Sequence, residues 1–148
     1  MSGADKLELK VKKLHNDATI PKYAKDGDAG LDLFCINDFS LLPGEIYSAG
    51  TGISIELPKG YEAQIRPRSG LAARYGISIV NSPGTIDSGY RGEIKVILIN
   101  HGSQNYNAKK GDRIAQMIIH KYEEVGVVEL EELSETERGD GGLGSTGH

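Results

Sequence analysis

Short runs in which apolar residues alternate with polar or small ones recur along most of the chain, and they leave little choice of fold. Leu7, Leu9 and Val11, then Ile53, Ile55 and Leu57, Tyr61, Ala63 and Ile65, and Ile94, Val96 and Leu98 each keep a period of two. That spacing places alternate side chains on one face of a strand. Ile77-Ser78-Ile79-Val80 and Met117-Ile118-Ile119 add further strand-like runs. Pro43-Gly44, Pro58-Lys59-Gly60, Pro83-Gly84 and Lys109-Lys110-Gly111-Asp112 punctuate them with residues that favour turns. Many short strands at such spacing predict an all-β protein, a distorted jelly roll or β-barrel. The one helix the pattern supports is short, near Leu71 to Tyr75, after Ser69-Gly70. From Glu129 the chain turns acidic, through Glu131, Glu132, Glu135 and Glu137, and then glycine-rich. Such a stretch cannot contribute to a packed core. The predicted organisation is a β domain over residues 1–128 and a flexible arm over residues 129–148.

Charge and cysteine content narrow the function. The 148 residues carry 17 basic and 21 acidic side chains, a net charge of −4. A nucleic-acid or anionic-membrane binder needs a basic footprint over most of one face, so neither partner is expected and any cation that matters must be local. Cys35, the single cysteine, lies between Phe34 and Ile36 and reads as a buried, inert thiol. Met1 to Leu14 alternates apolar and charged residues and contains no apolar stretch of signal-peptide or membrane-span length. The expected location is the cytoplasm. His15, His101, His120 and His148 form no i, i+4 zinc-ligand pair.

Two segments carry the chemistry a polyphosphate needs. Pro67-Arg68-Ser69-Gly70-Leu71-Ala72 and the tail from Arg138 through Gly144, Ser145 and Thr146 each combine a fixed cation, hydroxyls and glycines whose backbone N–H groups can approach a ligand closely. Ser145-Thr146 lacks the lysine of a Walker loop, which excludes a P-loop nucleotidase. In a third segment, Asn81-Ser82-Pro83-Gly84 resumes as a strand at Thr85, which suggests a hairpin whose open backbone could pair with a base edge. Asp87 follows, either as a general base for water or as a turn residue before Ser88-Gly89.

Five segments in order, covering nearly the whole chain, resemble the trimeric deoxyuridine triphosphatases, the dUTPases. They are Asp28-Ala29-Gly30-Leu31-Asp32-Leu33, Pro67 to Ala72, Asn81 to Glu93, Gly111-Asp112-Arg113-Ile114-Ala115-Gln116, and the tail from Arg138. The resemblance implies a β jelly-roll protomer, a homotrimer, and three active sites at subunit interfaces, each closed by the arm of a neighbouring subunit. It further implies hydrolysis of dUTP to dUMP and pyrophosphate, which keeps uracil out of DNA and supplies dUMP for thymidylate synthesis.

The resemblance also assigns roles. Asn81 and the main chain near Gly84, Thr85, Ile86 and Lys95 read the uracil edge, Tyr90 packs under the deoxyribose, and Asp87 touches the sugar hydroxyl and activates water. Without the match, Tyr90 reads as an ordinary strand aromatic. Arg68, Ser69 and Gly70 grip the phosphates, Gln116 places the α-phosphate and water, and Arg138 reaches the γ-phosphate from a neighbour. Mg²⁺ is the implied cofactor, held mainly by phosphates and water, with Asp32 as an outer-shell contact through water. Asp28 and Asp32 can also be read as a loop pair around Gly30. In the tail, Leu143 stands where many members carry an aromatic that lies over the uracil. Leucine still covers a base but forfeits stacking worth about 1 kcal/mol. Two other functions fit parts of the pattern: a dCTP deaminase of the same fold, which would lack the glycine-rich tail, and a catalytically silent dUTP-binding module.

Overall fold

The computed structural model describes residues 6–144, so Ser145 and Thr146 of the predicted site lie outside the described residues. The strands are β1 (Lys10–Lys13), β2 (Lys22–Tyr23), β3 (Leu31–Phe34), β4 (Phe39–Leu41), β5 (Ile46–Gly50), β6 (Ile53–Glu56) and β7 (Tyr61–Arg66). The helix α1 (Ser69–Tyr75) follows, then β8 (Ile77–Ile79), β9 (Gly84–Ile86), β10 (Lys95–Asn100), β11 (Tyr106–Ala108) and β12 (Arg113–Lys121). They form four antiparallel sheets: β1 with β6, β5-β10-β8, β11 with β4, and β2-β3-β12-β7-β9.

The all-β expectation with one short helix is met, but the barrel is not. Among the described residues no sheet closes on itself, and the largest ends in two open edges, β2 and β9. These edge strands hold only two and three residues. Closure needs strands long enough to carry the stagger around the cylinder. A single apolar cluster joins the open sheets instead, with Leu33, Leu41, Ile53, Ile77, Leu98, Ile114 and Met117 at its centre. Along β7 and β10 the alternation read from sequence is the alternation observed, with Ala63, Ile65, Val96 and Leu98 turned inward. Asn100 continues that inward row and is fully buried. Its amide nitrogen donates to the carbonyls of Leu41 (2.9 Å) and Gln104 (2.8 Å) and its oxygen accepts the Gly102 N–H (2.8 Å). Its polar atoms thus stay hydrogen-bonded, avoiding the cost of burying them unpaired.

The turn at Asn81 to Gly84 does not close a hairpin. β8 before it pairs with β10, whereas β9 after it pairs with β7, so the turn carries the chain from one sheet to another. The outer edge of β9 is left unpaired among the described strands. The helix starts at Ser69, two residues earlier than expected, directly from extended Arg68 (φ −85°, ψ 131°). It stops at Gly76, whose left-handed backbone (φ 72°) turns its N–H back to Ala72 and Leu71. A side chain at Gly76 would also collide with the backbone of Gly102, 2.7 Å from where its Cβ would lie.

Cys35 is buried, as expected, and donates to the Lys109 carbonyl (3.2 Å); burial pushes its thiol up, which favours the protonated form. Tyr106 packs beside Tyr75 (5.5 Å) and Phe39 (6.3 Å), and burial raises its phenol to about 12. A folded value above the ordinary phenol value of 10.0 means that the stabilisation is complete below pH 10.0 and is lost as pH rises toward about 12. Ultraviolet titration should therefore contain one phenol ionising near pH 12, and Tyr106→Phe should delete that late step.

The last main-chain tie of the body is the Tyr122 N–H to the Gly60 carbonyl (3.1 Å). Beyond it the described residues form no strand or helix, and Val125, Val127, Val128, Leu130 and Leu133 are exposed. No helix among the described residues is long and apolar enough to cross a membrane.

Candidate active site

The central strand of the largest sheet gathers three of the segments marked in the sequence. Gln116 in β12 lies opposite Asp32 of β3 on one side and Arg66 of β7 on the other. Pro67 follows β7, and the next residues, Arg68, Ser69 and Gly70, open α1. Asp28, Gly30, Asp32, Arg68, Ser69, Gly70, Arg113 and Gln116 consequently line one basin of about 330 Å³.

Asp32 is only 8% exposed and organises the basin's charges. Its Oδ2 is 3.2 Å from Nε of Arg113, and its Oδ1 is 3.9 Å from Nε of Arg68. Arg68 also donates from Nη1 to the Arg113 carbonyl (3.2 Å). The Gln116 amide nitrogen donates to the Pro67 carbonyl (3.0 Å), tying the central strand to the residue that precedes the arginine. Asp28 closes the preceding turn by accepting the Lys25 N–H (3.0 Å). Arg113 lines the basin although strand periodicity did not single it out. A fixed cation three residues before Gln116 was the available signal, but its partner Asp32 lies far back in the chain.

Gly30 makes room for this arrangement. Its backbone is not left-handed, yet an added Cβ would lie 3.1 Å from Gln116 Cβ and overlap the Gln116 side-chain oxygen. Gly30→Ala should therefore destabilise the fold by about 1–3 kcal/mol through overpacking. Urea unfolding should register that loss, and adding Gln116→Ala in the same chain should recover most of it.

The third segment builds a separate recess of about 190 Å³ from Thr85, Ile86, Asp87, Tyr90, Glu93 and Lys95. The turn from Asp87 to Tyr90 is closed by the Tyr90 N–H donating to the Asp87 carbonyl (3.1 Å). The Tyr90 hydroxyl donates to the Glu93 carbonyl (3.0 Å), and Arg91 clamps the turn through the Ser88 carbonyl (2.6 Å). Asp87 is exposed, and its carboxylate has no hydrogen-bond or ion-pair partner among the described residues. Asn81 stands against Gly84, 3.2 Å from where a Cβ would lie, but neither residue lines the recess. The two depressions share no residue. Arg138 donates to the Gly141 carbonyl (2.8 Å) within the tail, Leu143 is fully exposed, and Gly144 adopts a left-handed backbone; none of them lines either depression.

Formal charge on the basin cancels, with Arg68 and Arg113 set against Asp28 and Asp32. A tetra-anionic ligand would need further positive charge. Among the described residues no three His, Cys, Asp or Glu side chains gather as a metal cage. Asp32 is already paired with Arg113, with Arg68 close by, and with Asp28 it cannot supply six oxygen ligands. That donor set fits Mg²⁺ only as an ion that arrives with phosphates and keeps its waters.

Fold and basin together define a class: all-β proteins in which strand ends and one short helix form a polar basin lined by two arginines and two aspartates. Comparison with known proteins makes this specific. The dUTPase family model matches residues 16–147. A deoxyuridine 5'-triphosphate nucleotidohydrolase of Hydrogenobaculum sp. (strain Y04AAS1) is 58% identical over 142 residues, 95% of this chain and 99% of that protein. The enzyme of the same name from Clostridium tetani is 56% identical over 139 residues, covering 94% and 96%. Among solved structures, Staphylococcus bacteriophage 80alpha dUTPase with dUPNHPP superposes with a TM-score of 0.86 at 27% identity, over 95% of this chain and 99% of that one. A variant dUTPase from phage phi11 of S. aureus, described with a structural Mg(II) ion, shares the fold at a TM-score of 0.79 and 24% identity, covering 84% and 97%. The chain belongs to the dUTPase family.

Proposed function

We infer that the chain is a dUTP diphosphatase, hydrolysing dUTP to dUMP and pyrophosphate through attack of water at the α-phosphorus. The observation that carries this reading is the basin itself, where three segments distant in sequence bring Asp32, then Arg68, Ser69 and Gly70, and Gln116 together. Arg68 offers planar N–H donors to phosphate oxygens, and Ser69 adds a hydroxyl at the helix start. Gln116, held by the Pro67 carbonyl, keeps its side-chain oxygen in reserve to orient water or the α-phosphate. Uracil pairs with the main chain along Gly84, Thr85 and Ile86, whose outer edge is free among the described strands, and Asn81 and Lys95 flank it. Tyr90 supports the deoxyribose, and Asp87, with no competing partner among the described residues, accepts the proton of the attacking water.

The phosphate basin and the nucleoside recess are lined by separate residues, and we assign the complete site, as the family resemblance implies, to more than one copy of the chain in a homotrimer. Residues 129–148 act as the arm that brings Arg138 and Leu143, with Ser145 and Thr146, to a neighbour's site. Mg²⁺, bound with the phosphates, would neutralise part of their charge, and Asp32 would reach its waters from the outer shell. The neutral basin supports both this ion and the extra cation Arg138. We place the enzyme in the cytoplasm, with neither nucleic acid nor membrane as partner, on its acidic charge and its inert single thiol.

Pyrophosphate release from dUTP, dTTP, dCTP and UTP, with and without Mg²⁺, tests the assignment. Only dUTP with Mg²⁺ should turn over efficiently. Comparable hydrolysis of dTTP would contradict base reading at β9, and ammonia release from dCTP would make the chain a deaminase.

A further inference from the structure

We propose that Arg113 is a positioning residue, which occupies Asp32 so that Arg68 remains available to the triphosphate. A carboxylate as buried as Asp32 requires a cationic or hydrogen-bonding partner, since leaving it unpaired is costly. Two guanidiniums compete for that role, and the distances divide it unequally. Arg113 Nε is at 3.2 Å, and Arg68 Nε stands off at 3.9 Å. Arg68 instead spends one donor on the Arg113 main-chain carbonyl, at 3.2 Å. A guanidinium carries five N–H donors, so most of those on Arg68 remain for an anion.

The hold on Arg113 is built into the sheet. Arg113 lies directly across from Phe34 in the register of β12 and β3, and the register shifts between Arg113 and Ala115. Its Cζ lies 6.0 Å from the centre of the Phe34 ring, on which Lys22 also bears at 6.0 Å. A cation over an aromatic face is attracted by the ring's negative face, which favours this placement of the guanidinium beside Asp32. Deleting the Arg113 side chain leaves its carbonyl, and hence its hydrogen bond with Arg68, in place. What changes is Asp32, whose nearest remaining cation is Arg68. A carboxylate that pairs fully with Arg68 competes with phosphate for the same donors.

The inference rests on the dUTP reading of the basin, and calorimetric binding of an α,β-imido analogue of dUTP separates the two. Measurements in EDTA exclude any outer-shell contribution of Asp32 to Mg²⁺, and a parallel series at saturating Mg²⁺ tests the loaded site. Arg113→Ala should weaken analogue binding by about 10- to 100-fold, the cost of losing a charge-assisted contact. Adding Asp32→Asn should return the affinity to within about threefold of Asp32→Asn alone, because the competing charge is gone. In an Arg68→Ala background, Arg113→Ala should cost less than about threefold. Thermal unfolding of each variant reports any purely structural loss, which the Asp32→Asn change would not convert into recovered affinity. An unsuppressed loss in the Asp32→Asn background, or an equal loss without Arg68, overturns the positioning role and makes Arg113 a direct or structural contact. Failure of the unaltered chain to bind the analogue in both series overturns the dUTP reading and this inference with it.

Discussion

Asp87→Asn should lower the turnover of dUTP by about 10²-fold or more while leaving the affinity for a non-hydrolysable analogue within about tenfold. An amide keeps a hydrogen-bonding oxygen for the sugar but cannot accept the water's proton. The structure makes this substitution clean. The turn that presents Asp87 is closed by its main-chain carbonyl and the Tyr90 N–H, and clamped by Arg91 on Ser88, so no structural bond depends on the carboxylate. The side chain is also exposed, and stability should change by less than about 0.5 kcal/mol. Single-turnover kinetics with a calorimetric binding control provides the check. Near wild-type turnover would remove Asp87 from the role of base.

Removing residues 138–148 should reduce activity by about 10²-fold or more and leave the thermal transition of the β body almost unmoved. The activity loss follows from the charge on the basin: Arg68 and Arg113 are formally cancelled by Asp28 and Asp32, so withdrawal of Arg138 leaves the triphosphate short of a cation. On the proposed closure of the arm, its removal also uncovers the base, admits water and removes ordering contacts. Stability should persist because the described part of this segment bonds within itself, as in Arg138 to Gly141, and the body's last main-chain tie is at Tyr122. Steady-state kinetics and calorimetric unfolding of the truncated chain decide between the two roles. A collapsed transition would make the segment structural.

The alternation of Ile53 with Ile55, or of Val96 with Leu98, was legible because a half-buried strand imposes its own period on local sequence. Partner choice was not. The residues from Ile77 to Ile86 have the local look of a hairpin, but β8 joins β10 and β9 joins β7, decisions made by surfaces far away in the chain. The open sheets escaped notice for a related reason, since β2 and β9 are too short to leave a pattern, and their length prevents closure. Gly70, a poor helix former, disguised the true start of α1 at Ser69. The phosphate-type residues were legible as chemistry, because an arginine beside serine and glycine has a use that sequence alone suggests. Arg113 was hidden because its meaning lies in the carboxylate of Asp32 across the sheet.

Hydrolysis of dUTP in ¹⁸O-labelled water, with mass analysis of both products, tests the central claim most directly. Attack at the α-phosphorus predicts one labelled oxygen in dUMP and none in pyrophosphate. Label in pyrophosphate, or release of orthophosphate in place of pyrophosphate, would contradict the reaction assigned to this chain.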